Sequence, residues 1–308
     1  MKTFCPLLWE EMYINEKGDV YTCCHQFPGK LGNIKKSTLK EIYNSRKLQK
    51  YRRQSIQNRL LCAHFCTLLS PAQRAKATRD DIKADYTSLK RLKICIGTGC
   101  NIRCTMCWQD HDHPKVLETE MLRQQIDLDS VDRIDIQGGE PLYIRQAREF
   151  YDHCAAHNVS ISFLTNGMLL NDEWINKVIK HSHMISISVN AATARTHEMV
   201  NRGSKWDTVI SNLHNLRQKR DEAGSNLRIL AHMTIIRQNV LEIPQFISMI
   251  DDFAVDEVKF GFDPRLKLYL LLHPALRKKL KQQVRKAMEN TPDNHRIDTS
   301  RLRILKLI

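Results

Sequence analysis

The stretch "RLKICIGTGCNIRCTMCW" (91–108) joins an apolar segment to a polar loop that holds three cysteines. Its first seven residues, 91–97, are rich in Ile, which predicts a short strand buried on both faces. The loop then places Cys100, Cys104 and Cys107 in a C-x3-C-x2-C spacing. Parallel α/β sheets hold their active sites at the carboxyl ends of their strands, so this stretch predicts a thiol-based site at such an edge.

Five more apolar segments follow, and each is succeeded by a helical pattern. The predicted strands after 91–97 are 131–137, 159–165, 184–190, 227–236 and 256–262. The predicted helices are about 116–127, 143–157, 172–181, 204–222, 241–252 and 274–289. Six β-then-α units predict a parallel sheet with right-handed crossovers. Periodicity leaves an open doubly wound sheet and a partial barrel as alternatives.

The N-terminal part has a different pattern. Residues 11–24 predict a hairpin with Gly18 in its turn, and Thr38 and Glu41 predict a capping box that opens a basic amphipathic helix over about 38–58. The chain is therefore expected to divide as follows: a small α+β module over 1–70, a linker over 71–89, a core over 90–262 and a basic helical segment over 263–308 that completes or caps the core.

The composition limits the function classes. The chain has 308 residues and a formal net charge of +14, concentrated in residues 30–60 and 265–308. These segments suit either an anionic partner such as nucleic acid or a solvated surface, and no RNA-binding signature accompanies them. No run resembles a membrane span or a secretory signal, so a soluble cytoplasmic protein without a membrane partner is expected. In a reducing compartment, ten cysteines indicate metal ligands rather than disulfides.

The C-x3-C-x2-C loop lacks a fourth cysteine nearby, and that absence limits its chemistry. A structural zinc site uses four protein ligands, commonly from C-x2-C pairs. Three thiolates fit a four-iron cluster in which one iron is left open to a substrate or cofactor. The loop therefore favours an iron–sulfur cluster with an exchangeable position.

At these residues the sequence resembles the radical S-adenosylmethionine (SAM) enzymes. The resemblance implies a partial (β/α)6 TIM-like barrel and a [4Fe-4S] cluster held by Cys100, Cys104 and Cys107. It also implies that SAM binds the open iron and is cleaved reductively to a 5′-deoxyadenosyl radical, which abstracts hydrogen from a substrate. An electron donor such as a flavodoxin or ferredoxin follows from the same resemblance.

Further positions match the motifs of this family. The "GGEP" turn after the second strand resembles the segment that meets the SAM amino group, and "TNG" (165–167) resembles the ribose contact. Asn190 stands where the family usually has aspartate, which leaves the role of position 190 open, and Asn239 resembles an edge residue near the adenine. The implied SAM-site residues are Trp108, Gly138, Gly139, Glu140, Pro141, Thr165, Asn166, Ser188 and Arg202, with Arg202 pairing with the SAM carboxylate.

A second cysteine group precedes the linker. Cys5 and Cys23 have the pattern C-x12-G-x4-C, and Cys62 and Cys66 follow as C-x3-C. The hairpin would bring Cys5 and Cys23 to one end, and Cys62 and Cys66 would share a face if helical. Four thiols suit zinc or a closed cluster. The pattern resembles the SPASM/twitch modules, which implies an auxiliary [4Fe-4S] cluster, with Cys24 as an alternative to Cys23.

These features lead to one main functional hypothesis and two alternatives. The main one is a radical SAM enzyme that acts on a peptide or small molecule. Its auxiliary cluster either ligates substrate or takes up an electron, and four thiolate ligands favour the electron role. The alternatives are an RNA- or nucleotide-modifying radical SAM enzyme and a non-catalytic iron–sulfur or zinc protein that uses the fold for binding.

Overall fold

The computed structural model describes residues 3–64, 66, 68–69, 74, 79–291 and 296–308. The chain divides into two compact units, the first formed by 1–99 with 112–162 and the second by 100–111 with 163–308. Most of the first part of the predicted linker (71–89), up to position 78, lies outside the described residues. The predicted domain boundaries stay a prediction.

The described residues form short helices and strands that alternate along the chain. The strands are β1 (Glu11–Ile14), β2 (Asp19–Tyr21), β3 (Gly32–Asn33), β4 (Arg91–Gly97), β5 (Arg103–Cys104), β6 (Arg133–Gly138), β7 (Ser160–Thr165), β8 (Ser182–Ser188), β9 (Asn201–Arg202), β10 (Arg228–Ile235), β11 (Glu257–Phe262) and β12 (Arg296–Asp298). The helices are α1 (Leu7–Glu10), α2 (Leu39–Tyr43), α3 (Arg46–Ile56), α4 (Thr119–Gln125), α5 (Arg145–Ala156), α6 (Asp172–His181), α7 (Ala194–Val200), α8 (Trp206–Glu222), α9 (Ile243–Ser248), α10 (Pro264–Leu272), α11 (Pro274–Glu289) and α12 (Ser300–Ile304).

The N-terminal hairpin is confirmed. β1 and β2 pair antiparallel with Tyr13 opposite Tyr21, and β3 continues the pairing beside β2. Gly18 in the turn has a φ of +80°, a backbone conformation that residues other than glycine rarely adopt. The turn residue therefore fixes the hairpin locally, as the sequence predicts.

The helix expected over 38–58 is wrong in one respect, because the chain forms two helices there. The predicted capping box is present, with Thr38 and Glu41 each accepting from the other's backbone N–H. Ser45 then takes an extended conformation and accepts from the backbone N–H of Leu48, which starts α3. The serine thus caps the second helix at its start, which separates it from the first.

The first unit contains a mixed sheet in the order β6–β4–β1–β2–β3. β4 pairs parallel with β6 on one side and with β1 on the other, where Glu11 is opposite Arg91. Leu92, Ile94 and Ile96 of β4 are fully buried, as the Ile-rich pattern predicts. The N-terminal hairpin thus shares a sheet with the first core strand.

The second unit repeats the β-then-α pattern. β8, β10, β11 and β12 are joined by parallel pairing in that order. All six predicted core strands are present, with ends within two residues of the expected positions. The predicted α/β class is confirmed, and the repeated parallel units agree with a partial barrel. None of the helices in the described ranges has the length and apolar character needed to cross a membrane.

Candidate functional site

The three predicted cluster ligands lie in a loop that a short strand pair holds in place. Cys100, Cys104 and Cys107 are half-buried, and none of them is in a disulfide. β5 pairs antiparallel with β9, which puts Cys104 opposite Asn201. The loop therefore has a fixed backbone near its middle cysteine.

Asn201 is a buried residue that sequence reasoning missed. Its Oδ1 accepts from the Cys104 thiol at 3.4 Å and from Asn190 Nδ2 at 2.9 Å. Its Nδ2 donates to the carbonyl oxygens of Ser188 and Val189, both at 3.2 Å. One amide thus connects the cysteine loop to the end of β8, the strand on which Ser188 was predicted.

The role of Asn190, which the amino-acid sequence left open, is structural. It is buried with a φ of +61°, a region that asparagine tolerates better than most residues. Its Oδ1 accepts from the backbone N–H of Thr234 at 2.7 Å, and its carbonyl oxygen accepts from Asn239 Nδ2 at 2.8 Å. In the sequence, the available signal for this role was an asparagine two positions after the end of β8. Asn190 and Asn239 together join the carboxyl ends of β8 and β10.

The predicted "TNG" turn lies beside the first cysteine. Asn166 Nδ2 donates to Asn101 Oδ1 at 2.8 Å and lies 3.8 Å from the Cys100 sulfur. Thr165 is buried, and its hydroxyl accepts from the backbone N–H of Gly167 at 3.1 Å. The structure therefore brings Asn166 to the loop, while Thr165 shapes the turn.

The "GGEP" turn requires its glycines because it lies against the backbone that leads into the loop. A Cβ on Gly139 would come within 1.9 Å of the Gly99 carbonyl oxygen. Gly138 has a φ of +142°, and a Cβ there would meet the Gly97 carbonyl oxygen at 2.3 Å. Glu140 is buried and accepts from the backbone N–H of Leu142 at 3.1 Å, and Pro141 is buried beside it.

Three further SAM-site predictions differ in exposure. Ser188 is half-buried at the end of β8, and Arg202 is exposed on β9, opposite Arg103. The Trp108 side chain is 74% exposed. Trp108, which follows Cys107, is therefore not part of the apolar core.

The N-terminal cysteines form a second group in which three thiols influence one another. Cys62 and Cys66 both lie close enough to Cys5 to affect the pKa of its thiol. Cys62 lies in a 3₁₀ helix, Leu61–His64, and Cys66 lies outside it. The two cysteines therefore do not share the face of one helix. The Cys23 thiol donates to the Phe27 carbonyl oxygen at 3.7 Å.

Burial governs the protonation of these thiols. It raises the pKa of Cys5 to about 12, although Arg74 opposes the shift, and it raises the pKa of Cys23 to about 11. The pKa of Cys62 is also raised, mainly by burial and then by Cys66. Arg74 is itself buried and donates to the Phe4 carbonyl oxygen at 2.9 Å. A buried guanidinium close to the Cys5 and Cys62 thiols suits a group that becomes anionic when it loses its protons to a metal.

The chemistry of both donor sets fits iron–sulfur ligation. In the part of the chain that the structure describes, no three Cys, His, Asp or Glu side chains converge tightly enough for a single metal ion. A four-iron cluster attaches each thiolate to a different iron, so its ligands need not converge on one point. All of the predicted ligands are half-buried cysteines, and none of them is in a disulfide.

Comparison with known proteins identifies two family models in the chain. The model described as the radical SAM superfamily matches residues 94–249, just over half of the chain, and the model described as an iron–sulfur cluster-binding domain, SPASM, matches residues 5–67. The first range contains the C-x3-C-x2-C loop and the second contains Cys5, Cys23, Cys62 and Cys66.

Individual relatives are distant. Mycofactocin maturase MftC of Mycolicibacterium smegmatis is 27% identical over 176 residues, which cover 54% of this chain and 41% of the maturase. The S-adenosylmethionine-dependent nucleotide dehydratase RSAD2 of Danio rerio is 22% identical over 156 residues, covering 48% and 43%. The chain thus spans less than half the length of these relatives. The structure of Streptococcus suis SuiB bound to precursor peptide SuiA covers 95% of this chain and 73% of SuiB, with a TM-score of 0.49 and 14% identity.

Proposed function

We propose that this chain, which belongs to the radical SAM superfamily, is an enzyme that cleaves SAM reductively and abstracts hydrogen from a peptide or small-molecule substrate. The observation that carries the proposal is the loop of three half-buried cysteines, none of them in a disulfide, within the range matched by the superfamily model. When bound there, a reduced [4Fe-4S] cluster supplies the electron that converts SAM to methionine and a 5′-deoxyadenosyl radical.

The residues around the loop are assigned to binding and orientation. Cys100, Cys104 and Cys107 hold the cluster, and the backbone of Gly138 and Gly139 approaches the SAM amino group. The remaining SAM contacts are assigned to Trp108, Glu140, Pro141, Thr165, Asn166, Ser188 and Arg202. Arg202 is exposed and has the planar pair of donors that suits a carboxylate.

The N-terminal group is assigned to an auxiliary [4Fe-4S] cluster held by Cys5, Cys23, Cys62 and Cys66. The match of the SPASM model to residues 5–67 supports this assignment. Four thiolates would leave no iron open, so a cluster held by them would be suited to accept an electron released from the substrate rather than to bind the substrate. An external donor such as a flavodoxin or ferredoxin supplies the electron for SAM cleavage.

A second candidate is nucleotide or RNA modification. Two observations favour it, namely the relative named as a nucleotide dehydratase and the basic exposed face of α11. Binding to phosphate groups releases counterions, so affinity for RNA is then expected to fall steeply between low and moderate salt. RNA binding that stays constant with salt would count against this candidate.

The enzyme proposal is tested by SAM cleavage. The protein is reconstituted with iron and sulfide without oxygen, reduced with dithionite and assayed for 5′-deoxyadenosine. Replacement of Cys100, Cys104 or Cys107 by alanine is expected to abolish the product, because each removes a cluster ligand. Cys154→Ala is the matched control, since Cys154 is buried within α5 and distant in sequence from the loop.

Two results would contradict the proposal. One is a wild-type protein that is fully loaded with iron and makes no 5′-deoxyadenosine, which would support a non-catalytic binding protein. The other is a Cys→Ala loop variant that cleaves SAM as fast as Cys154→Ala does.

A further inference from the structure

Polar side chains form a row across neighbouring strands of the second unit. The strand register places His232 of β10 beside Ser188 of β8 and beside Lys259 of β11, with Asp298 of β12 next to Lys259. Paired residues in a parallel sheet have their side chains on the same face. We call Ser188, His232 and Lys259 the His232 row.

This row lies on the face of the sheet opposite the fully buried apolar residues of β10. Ala231, Met233 and Ile235, which alternate with it along β10, are fully buried. Lys259 is exposed, and Ser188 and His232 are half-buried. The row is therefore accessible from its Lys259 end.

His232 has an unused hydrogen-bonding group. Its Nδ1 is buried and has no hydrogen-bond partner among the described residues. A buried polar atom without a partner is unfavourable, and most such atoms are paired with protein, water or a ligand. The neighbour across the ring is Gly261, where a Cβ would come within 3.2 Å of His232 Nε2. The ring consequently fits against the backbone of β11.

The charges around the row are mostly positive. Burial first, and then Lys259 and Arg301, lower the pKa of His232 to about 4, while Asp298 opposes them. The imidazole is therefore neutral and has one N–H donor at neutral pH. Lys259 forms no ion pair within the ranges that the structure describes. The row thus combines an ammonium, an N–H donor and a hydroxyl, with Asp298 as the nearby carboxylate.

We propose that the His232 row binds a carboxylate group of a ligand. The Lys259 ammonium forms the ion pair, and the His232 N–H and the Ser188 hydroxyl donate hydrogen bonds to the carboxylate oxygens. Such charge-assisted contacts are stronger than neutral ones. We assign the carboxylate to the substrate, because the carboxylate of SAM is already assigned to Arg202. Only this choice of source rests on the proposed function.

The test measures the binding of a simple carboxylate to the reconstituted protein without turnover. Saturation-transfer NMR titrations compare glutarate with its neutral diamide, glutaramide. We expect the wild-type protein to bind glutarate at least about tenfold more tightly than glutaramide, and Lys259→Met to lose that preference. Lys267→Met is the matched control, because Lys267 is an exposed lysine on α10 outside the row. His232→Gln, which keeps an N–H donor, is expected to bind better than His232→Phe.

Repetition with saturating SAM identifies the source of the carboxylate. Displacement of glutarate by SAM, with about tenfold weaker SAM binding by Lys259→Met, would assign the row to SAM and overturn the assignment to the substrate. Glutarate binding that SAM leaves unchanged assigns it to the substrate. Equal affinity for glutarate and glutaramide, or unchanged glutarate binding by Lys259→Met, would overturn the proposal. Since no step needs SAM cleavage, failure here is distinguishable from failure of the proposed enzyme activity.

Discussion

Asn201 uses a single side chain to join the cysteine loop, Asn190 and the end of β8. The Cys104 thiol donates to its Oδ1, whereas a thiolate bound to iron accepts hydrogen bonds. The Nδ2 group of Asn201 donates to the carbonyl oxygens of Ser188 and Val189, which holds Oδ1 toward the Cys104 sulfur. Asn201 thus acts as a positioning residue for Cys104.

Replacement of Asn201 by leucine is expected to lower the free energy of unfolding by about 2 kcal/mol, because it leaves several buried polar groups without partners. Less iron is expected to bind at the loop. Urea denaturation and iron content per chain measure the two effects. Asn215→Leu is the control, since the Asn215 amide bonds to Asp172 at the surface. Equal effects of the two substitutions would show that Asn201 has no special role.

Gly139 has no room for a side chain. Gly139→Ala is expected to cost about 3 kcal/mol or to prevent folding, because the added Cβ meets a backbone oxygen that cannot move freely. Thermal denaturation followed by circular dichroism measures the change. At Gly99 a Cβ would find its nearest atom at 3.7 Å, so Gly99→Ala is expected to unfold at nearly the wild-type temperature. A similar loss in both variants would refute the steric explanation.

The sequence predicted the cysteines and the glycine turn because their spacing is local. It did not predict the role of Asn201, whose partners Cys104 and Ser188 are distant along the chain. Nor did it predict that Trp108 is exposed, since the exposure of an aromatic residue depends on what packs against it. Residues that act through long-range hydrogen bonds carry no local pattern.

At the scale of elements, local pattern was sufficient for the core strands and insufficient for their neighbours. Each of the six predicted core strands is an apolar run bounded by polar residues. The parallel pairing of β1 with β4 was not predicted, because strand order is decided by contacts between residues about eighty positions apart. α10 was also missed, and its apolar residues cover nearly the whole helix surface rather than one stripe.

Glu11 stabilises the pairing of β1 with β4 through two cations on β4. Its buried carboxylate lies 3.0 Å from Lys93 and 3.3 Å from Arg91. Glu11→Gln is expected to cost about 3 kcal/mol, because it leaves Lys93 in a poorly solvated position without its counter-ion. Asp132→Asn, which removes the exposed Lys90–Asp132 pair, is expected to cost less than about 1 kcal/mol. Denaturant titration of both variants provides the comparison.

The same pair has a defined pH dependence. Burial opposes the charge on Lys93, but Glu11, together with Cys24 and Asp135, outweighs burial and raises the pKa of Lys93 above its ordinary value of 10.5. A raised lysine pKa contributes stability that is complete at neutral pH and is lost as pH rises through the folded-state pKa. The stability difference between wild type and Glu11→Gln is therefore expected to shrink only above about pH 10.5. A difference that disappears between pH 7 and 9 would exclude this assignment.

At the scale of the whole molecule, the two groups of cysteines predict two iron–sulfur clusters, whose iron and sulfide can be counted separately. The reconstituted protein is expected to contain about eight iron and eight sulfide per chain. A Cys5→Ser/Cys62→Ser variant is expected to keep about four of each and to retain SAM cleavage when dithionite replaces the natural donor. Elemental analysis of both proteins measures this. About four iron with one zinc in the wild-type protein would instead identify the N-terminal site as structural zinc.

The pairing of β1 with β4 also orders events during synthesis of the chain. The β1–β2 hairpin leaves the ribosome long before β4, and it presents an open edge at β1 until residues 91–94 arrive. An unpaired edge favours addition of another strand, from the same chain or from a neighbour. The cysteines from Cys5 to Cys66 precede β4 as well, so iron delivery to the nascent N-terminal segment would shape the edge on which the rest of the sheet is assembled. Starvation for iron is then expected to reduce the yield of correctly folded protein, not only its activity.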